Sequence, residues 1–553
     1  MKSKPAFVIY ILFIICSCRH ATDTSLPDII IINAKIWTNG AIQPYDAIAI
    51  QSDKIIALGK TDELIESKGD HVKIIDAGHQ LLCPGFIDAH VHFLDGGFNL
   101  GSVKLRDAAS RDTFIQRIKA YALTIPKGNW IIGGDWNHQL WGGQLPERSW
   151  IDSITPDHPV ALNRLDGHMI LCNSLAMKLA GITNATKDVT GGEIPRNKNK
   201  EIIGIFKDNA AGLIYSKMPE PSNEAKDKAL NAAMHYVASY GVTSVHHMAD
   251  KFSDLSQFQR NKSALITRIF CATPLSQWQV LQSYMELHGQ GDSLIRWGSV
   301  KGFMDGSLGS HTAAMIDDFS DKKGDNGFLV NPLDSMKKWI MAADKAGLQI
   351  NIHAIGDRAI ASLIDLFDTT IAVNGSRDRR FRIEHFQHPT AREIARLKGA
   401  GIIASMQPYH AIDDGCWADH LLGPQRIKTT YAFKSILDAG AHLAFGSDWF
   451  VAPAIPMVGV YAAVTRETLD GQHPGGWVPE QKISINDALK AYTEGAAYAS
   501  FQENILGSIK VGYLADLVLL DQDLFSIKAD DIKNAKVLWT MMGGKIVYKQ
   551  QPN

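Results

Sequence analysis

Pro84-Gly85-Phe86-Ile87-Asp88-Ala89-His90-Val91-His92 reads as a short apolar strand that leaves a Pro-Gly turn and ends in two histidines. Residues two apart on a strand project to the same side, so both imidazoles can reach one metal ion. The pattern of an apolar strand with a polar end recurs. Gln349-Ile350-Asn351-Ile352-His353 closes on a histidine, His385 lies near the end of the next such segment, and Asp448 follows Phe445-Gly446-Ser447. The candidate strands are Phe86–His92, Val160–Asn163, Thr243–His247, Ser299–Met304, Gln349–His353, Arg382–Phe386, Ile402–Met406 and Leu443–Asp448. Helices with an apolar stripe fit between several of them, as at Ala225–Ser239, Ser335–Ala346 and Ala359–Val373. A count of eight favours an α/β fold of the (β/α)8 TIM-like barrel type over an open sheet, and in a barrel these strand ends share one face.

One histidine after an apolar strand is ordinarily a core or surface residue, and a single His-x-His pair carries little weight. Four histidines and an aspartate at successive strand ends are different. Buried without partners, each costs several kcal/mol, and a metal ion supplies a partner they can share.

Working outward, residues 28–82 read as short strands with tight turns, among them Ile29–Ile32, Ala47–Ile50 and Lys54–Leu58. The texture returns after residue 505, where Val537–Met542 runs through Gly543-Gly544 into Lys545–Tyr548 as a closing hairpin. Neither end has strands enough for a sheet of its own. Residues 19–83 and 505–553 are therefore expected to form one small β-sandwich domain, with the barrel over 84–504. The interval 93–242 is too long for ordinary βα units and predicts an insertion over the barrel mouth. Its Trp136, Trp141 and Trp150 either line a pocket or pack the insertion, packing being the simpler reading.

The set Pro84–His92, Asn351-Ile352-His353-Ala354-Ile355-Gly356-Asp357, Arg382-Ile383-Glu384-His385 and Gly446-Ser447-Asp448 resembles the signature of the amidohydrolase superfamily. The ending Gly507–Val518 is similar to that superfamily's return into its small β domain. Asp166-Gly167-His168, Asn173-Ser174 and Lys301–Ser307 look like the branch that includes N-substituted formamide deformylases. The resemblance implies one or two divalent metals, usually zinc, at the barrel mouth. By analogy His90 and His92 bind the first metal, His353 and His385 the second, and Asp448 binds the first metal and transfers protons. Lys301 is the implied bridging ligand after carboxylation, because a carbamate offers two oxygens where an ammonium would repel two cations. His168 is a candidate substrate or oxyanion contact, and Asp305 a support for the loop or for a ligand.

These parts predict a hydrolase that cuts a non-peptide C–N bond of an amide or formamide-like small molecule with metal-activated hydroxide. Cyclic-imide, lactone or ester hydrolysis and deamination use the same kind of site, and a tethered metal-containing ligand-binding protein is the non-enzymatic alternative.

The chain has 553 residues, 45% of them apolar and 21% charged, so it can bury a large core. A formal net charge of −2 gives no electrostatic reason to expect nucleic acid. Lys2 and Lys4 precede the apolar run Ala6–Ile15, whose ten residues rise roughly 15 Å as a helix, about half a bilayer core. That is a secretion signal over residues 1–18. Ile15-Cys16-Ser17-Cys18 resembles a bacterial lipobox with Cys18 as the lipidated residue, which implies a lipid-anchored protein of the cell envelope. Arg19-His20 carries no inner-membrane retention aspartate, which favours the outer membrane, facing the periplasm. The remaining cysteines, Cys83, Cys172, Cys271 and Cys416, are far apart and read as small apolar residues. Oligomeric state is not legible.

Overall fold

The computed structural model describes residues 26–66, 69 and 71–551, and the expected signal segment with Cys18 lies outside them. Its centre is an eight-stranded sheet with strands, in chain order, Phe86–Val91, Val242–Met248, Arg268–Pro274, Ile295–Phe303, Gln349–Ala354, Arg382–His385, Ile403–Met406 and His442–Phe445. Each pairs in parallel with its successor. The ring closes just beyond the last strand. Asp448 N–H donates to the His90 carbonyl at 2.7 Å, and His92 N–H donates to the Trp449 carbonyl at 2.6 Å. Below them the buried Asp88 carboxylate accepts from the Ser447 amide at 2.8 Å and the Ser447 hydroxyl at 2.5 Å. The fold is a (β/α)8 barrel with a small β-sandwich made from both termini.

Seven of the eight expected barrel strands take their places, and one does not. Val160–Arg164 belongs to a separate six-stranded sheet, parallel to Ile131–Trp136 and antiparallel to Met169–Cys172. The barrel strand passed over is Arg268–Pro274. Both segments are short apolar runs, and such a run identifies a strand without naming its sheet. Arg268 is the first residue of that strand. In the structure it is buried and paired with Asp516 of the terminal sandwich at 2.7 Å and 2.9 Å.

The sandwich joins a four-stranded sheet (Ile29–Ile32, Ala47–Gln51, Lys54–Gly59, Lys73–Asp76) to a six-stranded one. In the second, Leu81–Pro84 lies between Lys35–Thr38 and the C-terminal strand Leu517–Leu520, which gives the shared sheet its N-terminal and C-terminal halves. Val537–Met542 and Lys545–Lys549 form the expected hairpin, with Gly543 and Gly544 at positive φ of 55° and 74° as its turn demands. The insertion has its own core. Trp136 and Trp150 are buried in it, Trp141 packs beside them, and Phe114 meets both Trp141 and Trp150. Those tryptophans pack the insertion. Among the described residues no helix is long and apolar enough to cross a membrane.

Candidate active site

At the closing seam of the barrel, ligand atoms of His90, His92 and Asp448 all lie within 4.8 Å of one another. His90 and His385 have ring centroids 4.8 Å apart, and His385 and His353 are 4.5 Å apart. Lys301 Nζ lies 3.2 Å from His90 Nε2. The six residues read from the sequence are therefore neighbours. Backbone geometry explains part of this convergence. His385 and Asp448 have positive φ, 73° and 62°, which turns the chain at the strand ends. Simple alternation would send Glu384 and His385 to opposite faces, whereas the turn lets both serve the site.

Three of the histidine rings are aimed through the far nitrogen. His90 Nδ1 pairs with buried Glu384 Oε2 at 2.6 Å, His385 Nδ1 with Gln407 Oε1 at 2.9 Å, and His353 Nε2 with the Gly306 carbonyl at 3.0 Å. The opposite nitrogen of each ring is left to act as a ligand. Burial first, then the charge of Lys301 and neighbouring rings, holds His90, His92, His353 and His385 well below the usual histidine range. They are neutral imidazoles, the form that binds metal.

Asp448 Oδ1 stands 3.4 Å from His90 Nε2 and 3.6 Å from His92 Nε2, yet it is buried with no hydrogen-bond partner. A buried carboxylate oxygen without a donor is costly, and a cation between Asp448 and the two imidazoles removes that cost. The donor set thus fits a divalent ion. Burial lifts the Asp448 carboxyl to about 7, against the pull of Lys301 and His168.

Lys301 is buried and makes no ion pair among the described residues; its ammonium stands 4.6 Å over the Phe303 ring. Burial pulls its pKa down. Asp305 accepts from the amides of Ile355 at 3.0 Å, Gly356 at 2.8 Å and Ala314 at 2.8 Å, and lies 3.6 Å from His353. It therefore ties down the loop that follows the His353 strand. Burial raises it to about 7. His168 does not follow a barrel strand, as its place after Val160–Asn163 had suggested. It sits in the insertion sheet's turn before Met169, bonded through Nδ1 to Asp208 Oδ1 at 2.7 Å, with its ring 4.9 Å from that of His353.

A pocket opens at this floor, lined by Asp448, His385 and His353 on one side and by Arg164, Asp166 and Trp417 on the other. Three contributors were missed in the sequence. Glu384 stands inside the quoted Arg382–His385 motif and, two residues from Arg382, shares its face of the strand; that spacing was the available signal. His410, with Nε2 3.8 Å from Asp448 Oδ2, and Gln407 follow the Ile403–Met406 strand, where strand-end position was the only cue.

Residues 73–548 match the amidohydrolase family along most of the chain. The chain belongs to that family. It is 37% identical to the protein LONG AFTER FAR-RED 3 of Arabidopsis thaliana, over 94% of this chain and 91% of the relative. It is 26% identical to the N-substituted formamide deformylase of Arthrobacter pascens, over 95% and 99%. A solved metal-dependent hydrolase from Pyrococcus horikoshii superposes with a TM-score of 0.74 at 27% identity, covering 91% of this chain and 99% of that one. This amidohydrolase is a metal-dependent hydrolase acting on carbon–nitrogen bonds other than peptide bonds.

Proposed function

We propose that the chain hydrolyses an amide or formamide-type C–N bond of a small molecule, at a site where His90, His92 and Asp448 hold one divalent ion. In the same reading His353 and His385, with Lys301 carboxylated as a bridge, hold a second, and zinc is the expected metal. The observation that carries this is the unpartnered Asp448 oxygen facing two neutral imidazoles, His90 held by Glu384 and His92 beside it. The full-length likeness to a formamide deformylase supports the bond type.

A divalent ion bound there supplies Lewis acidity, which polarises a carbonyl and brings the acidity of water toward neutral pH. The chain's own residues do the rest. Asp448 accepts a proton from the attacking water and returns it to the departing nitrogen. The carbonyl carbon gains the hydroxyl oxygen, the C–N bond breaks, and the amine leaves protonated. His168, held by Asp208, faces the cavity beside His353 and is placed to contact the carbonyl oxygen.

The test is metal content together with turnover of a panel of formamides, amides, cyclic imides, lactones and aminated heterocycles. Wild type is expected to bind one to two equivalents of metal and to cleave formamides or amides; Asp448→Asn should lose turnover by a factor on the order of 10² or more. Full activity in metal-free protein, or near-normal rates in Asp448→Asn, would refute the proposal.

A further inference from the structure

Arg164 ends the insertion strand Val160–Arg164 and is 1% exposed, yet it lines the same cavity as Asp448. Two of its three nitrogens are committed. Nη1 pairs with Asp166 Oδ2 at 2.5 Å, and Nε donates to His138 Nδ1 at 3.3 Å. Asp166 is fixed in turn by the hydroxyls of Ser307 and Ser310, so the pair is braced from the barrel side. Nη2 is buried with no partner at all. Of the other carboxylates nearby, Asp413 pairs with Arg106 at 3.8 Å and Asp414 accepts from the Tyr431 hydroxyl at 2.5 Å. Gly309 makes the arrangement possible, because a Cβ there would lie 2.4 Å from Nη2 and 2.7 Å from Nη1.

A buried guanidinium edge braced on two sides and empty on the third is expensive unless something occupies it. We propose that Arg164 Nη2 recognises an oxygen acceptor on the non-reacting part of the substrate, so that the amide cleaved carries a second carbonyl or carboxylate oxygen. The apolar walls given by Leu165, Leu308, Ile355 and Val451 hold the body between the two polar ends. This rests on the amide-hydrolase reading of the cavity floor and adds the substrate's far end. Specificity then comes from the insertion and the chemistry from the barrel.

The test uses three matched compounds, N-formyl-aminovalerate, its carboxamide and N-pentylformamide, on metal-loaded full-length protein. Wild type is expected to prefer the two oxygen-bearing amides by about 10- to 100-fold in kcat/KM, mainly through KM, the scale of a hydrogen bond to a charged donor. The ratio between carboxylate and carboxamide separates an ion pair from a neutral hydrogen bond. Arg164→Lys keeps a cation for Asp166 but loses the second N–H edge, and Gly309→Ala displaces the guanidinium; in both, kcat/KM for the three compounds should converge. Calorimetric binding of the same compounds to Asp448→Asn reads recognition without cleavage. A binding preference without turnover in wild type would sink the hydrolase reading and leave this one standing. Equal handling of all three by wild type, or a preference that survives both variants, would overturn the assignment.

Discussion

Glu384→Gln isolates what holds the first histidine. The fully buried Glu384 carboxylate accepts from His90 Nδ1 at 2.6 Å and from Arg382 at 2.7 Å and 3.1 Å. Arg382 is itself fully buried and also donates to the Ala89 carbonyl and Ser405 hydroxyl. Removing the negative charge does two separable things. Arg382 becomes a buried cation without its counter-charge, a change that typically costs about 3–5 kcal/mol. The His90 ring loses its charged anchor, and such losses lower metal affinity by about 10- to 100-fold. Urea unfolding of metal-free protein measures the first effect, and competition with a chelator measures the second. The double variant Arg382→Met/Glu384→Leu tells them apart. It replaces the buried pair with apolar groups, so most of the stability should return while metal affinity stays low. If metal affinity in Glu384→Gln stays within about twofold of wild type, or if the double variant regains it, the anchoring argument is wrong.

Two other consequences are open to measurement. Asp414 lines the cavity and accepts from the Tyr431 hydroxyl at 2.5 Å, and burial raises it from 3.8 to about 8. The folded state therefore keeps a proton that the unfolded chain releases, so this carboxyl's contribution to stability falls as pH rises from about 4 to about 8 and then levels. Asp414→Asn removes that slope. Its advantage over wild type should grow across this window to a few kcal/mol, read as denaturation midpoints against pH, and a constant difference would refute the assignment. Lys301→Met should lower the metal bound per chain and abolish any dependence of metal loading on bicarbonate, checked by elemental analysis; unchanged loading would remove Lys301 from the ligand set.

Local chemistry made much of this protein legible in one dimension. An apolar strand that ends in His, His-x-His or Asp is a local pattern, and five such side chains on one barrel face call for a shared partner. The terminal sandwich was readable for a related reason: neither run of strands is long enough to stand alone, and Gly543-Gly544 writes its hairpin turn into the sequence. What resisted was sheet membership. Val160–Arg164 and Arg268–Pro274 are equivalent as strings, and only long-range pairing decides that one builds the insertion and the other the barrel. The same limit hid Arg164, whose partners Asp166 and His138 are close in the chain but whose cradle, Gly309, is not. Strand-end residues declare their face by periodicity. A cavity declares itself only when distant segments close around it, which is why the cluster of histidines and Asp448 on its floor could be read from the sequence and Arg164 in its cradle could not.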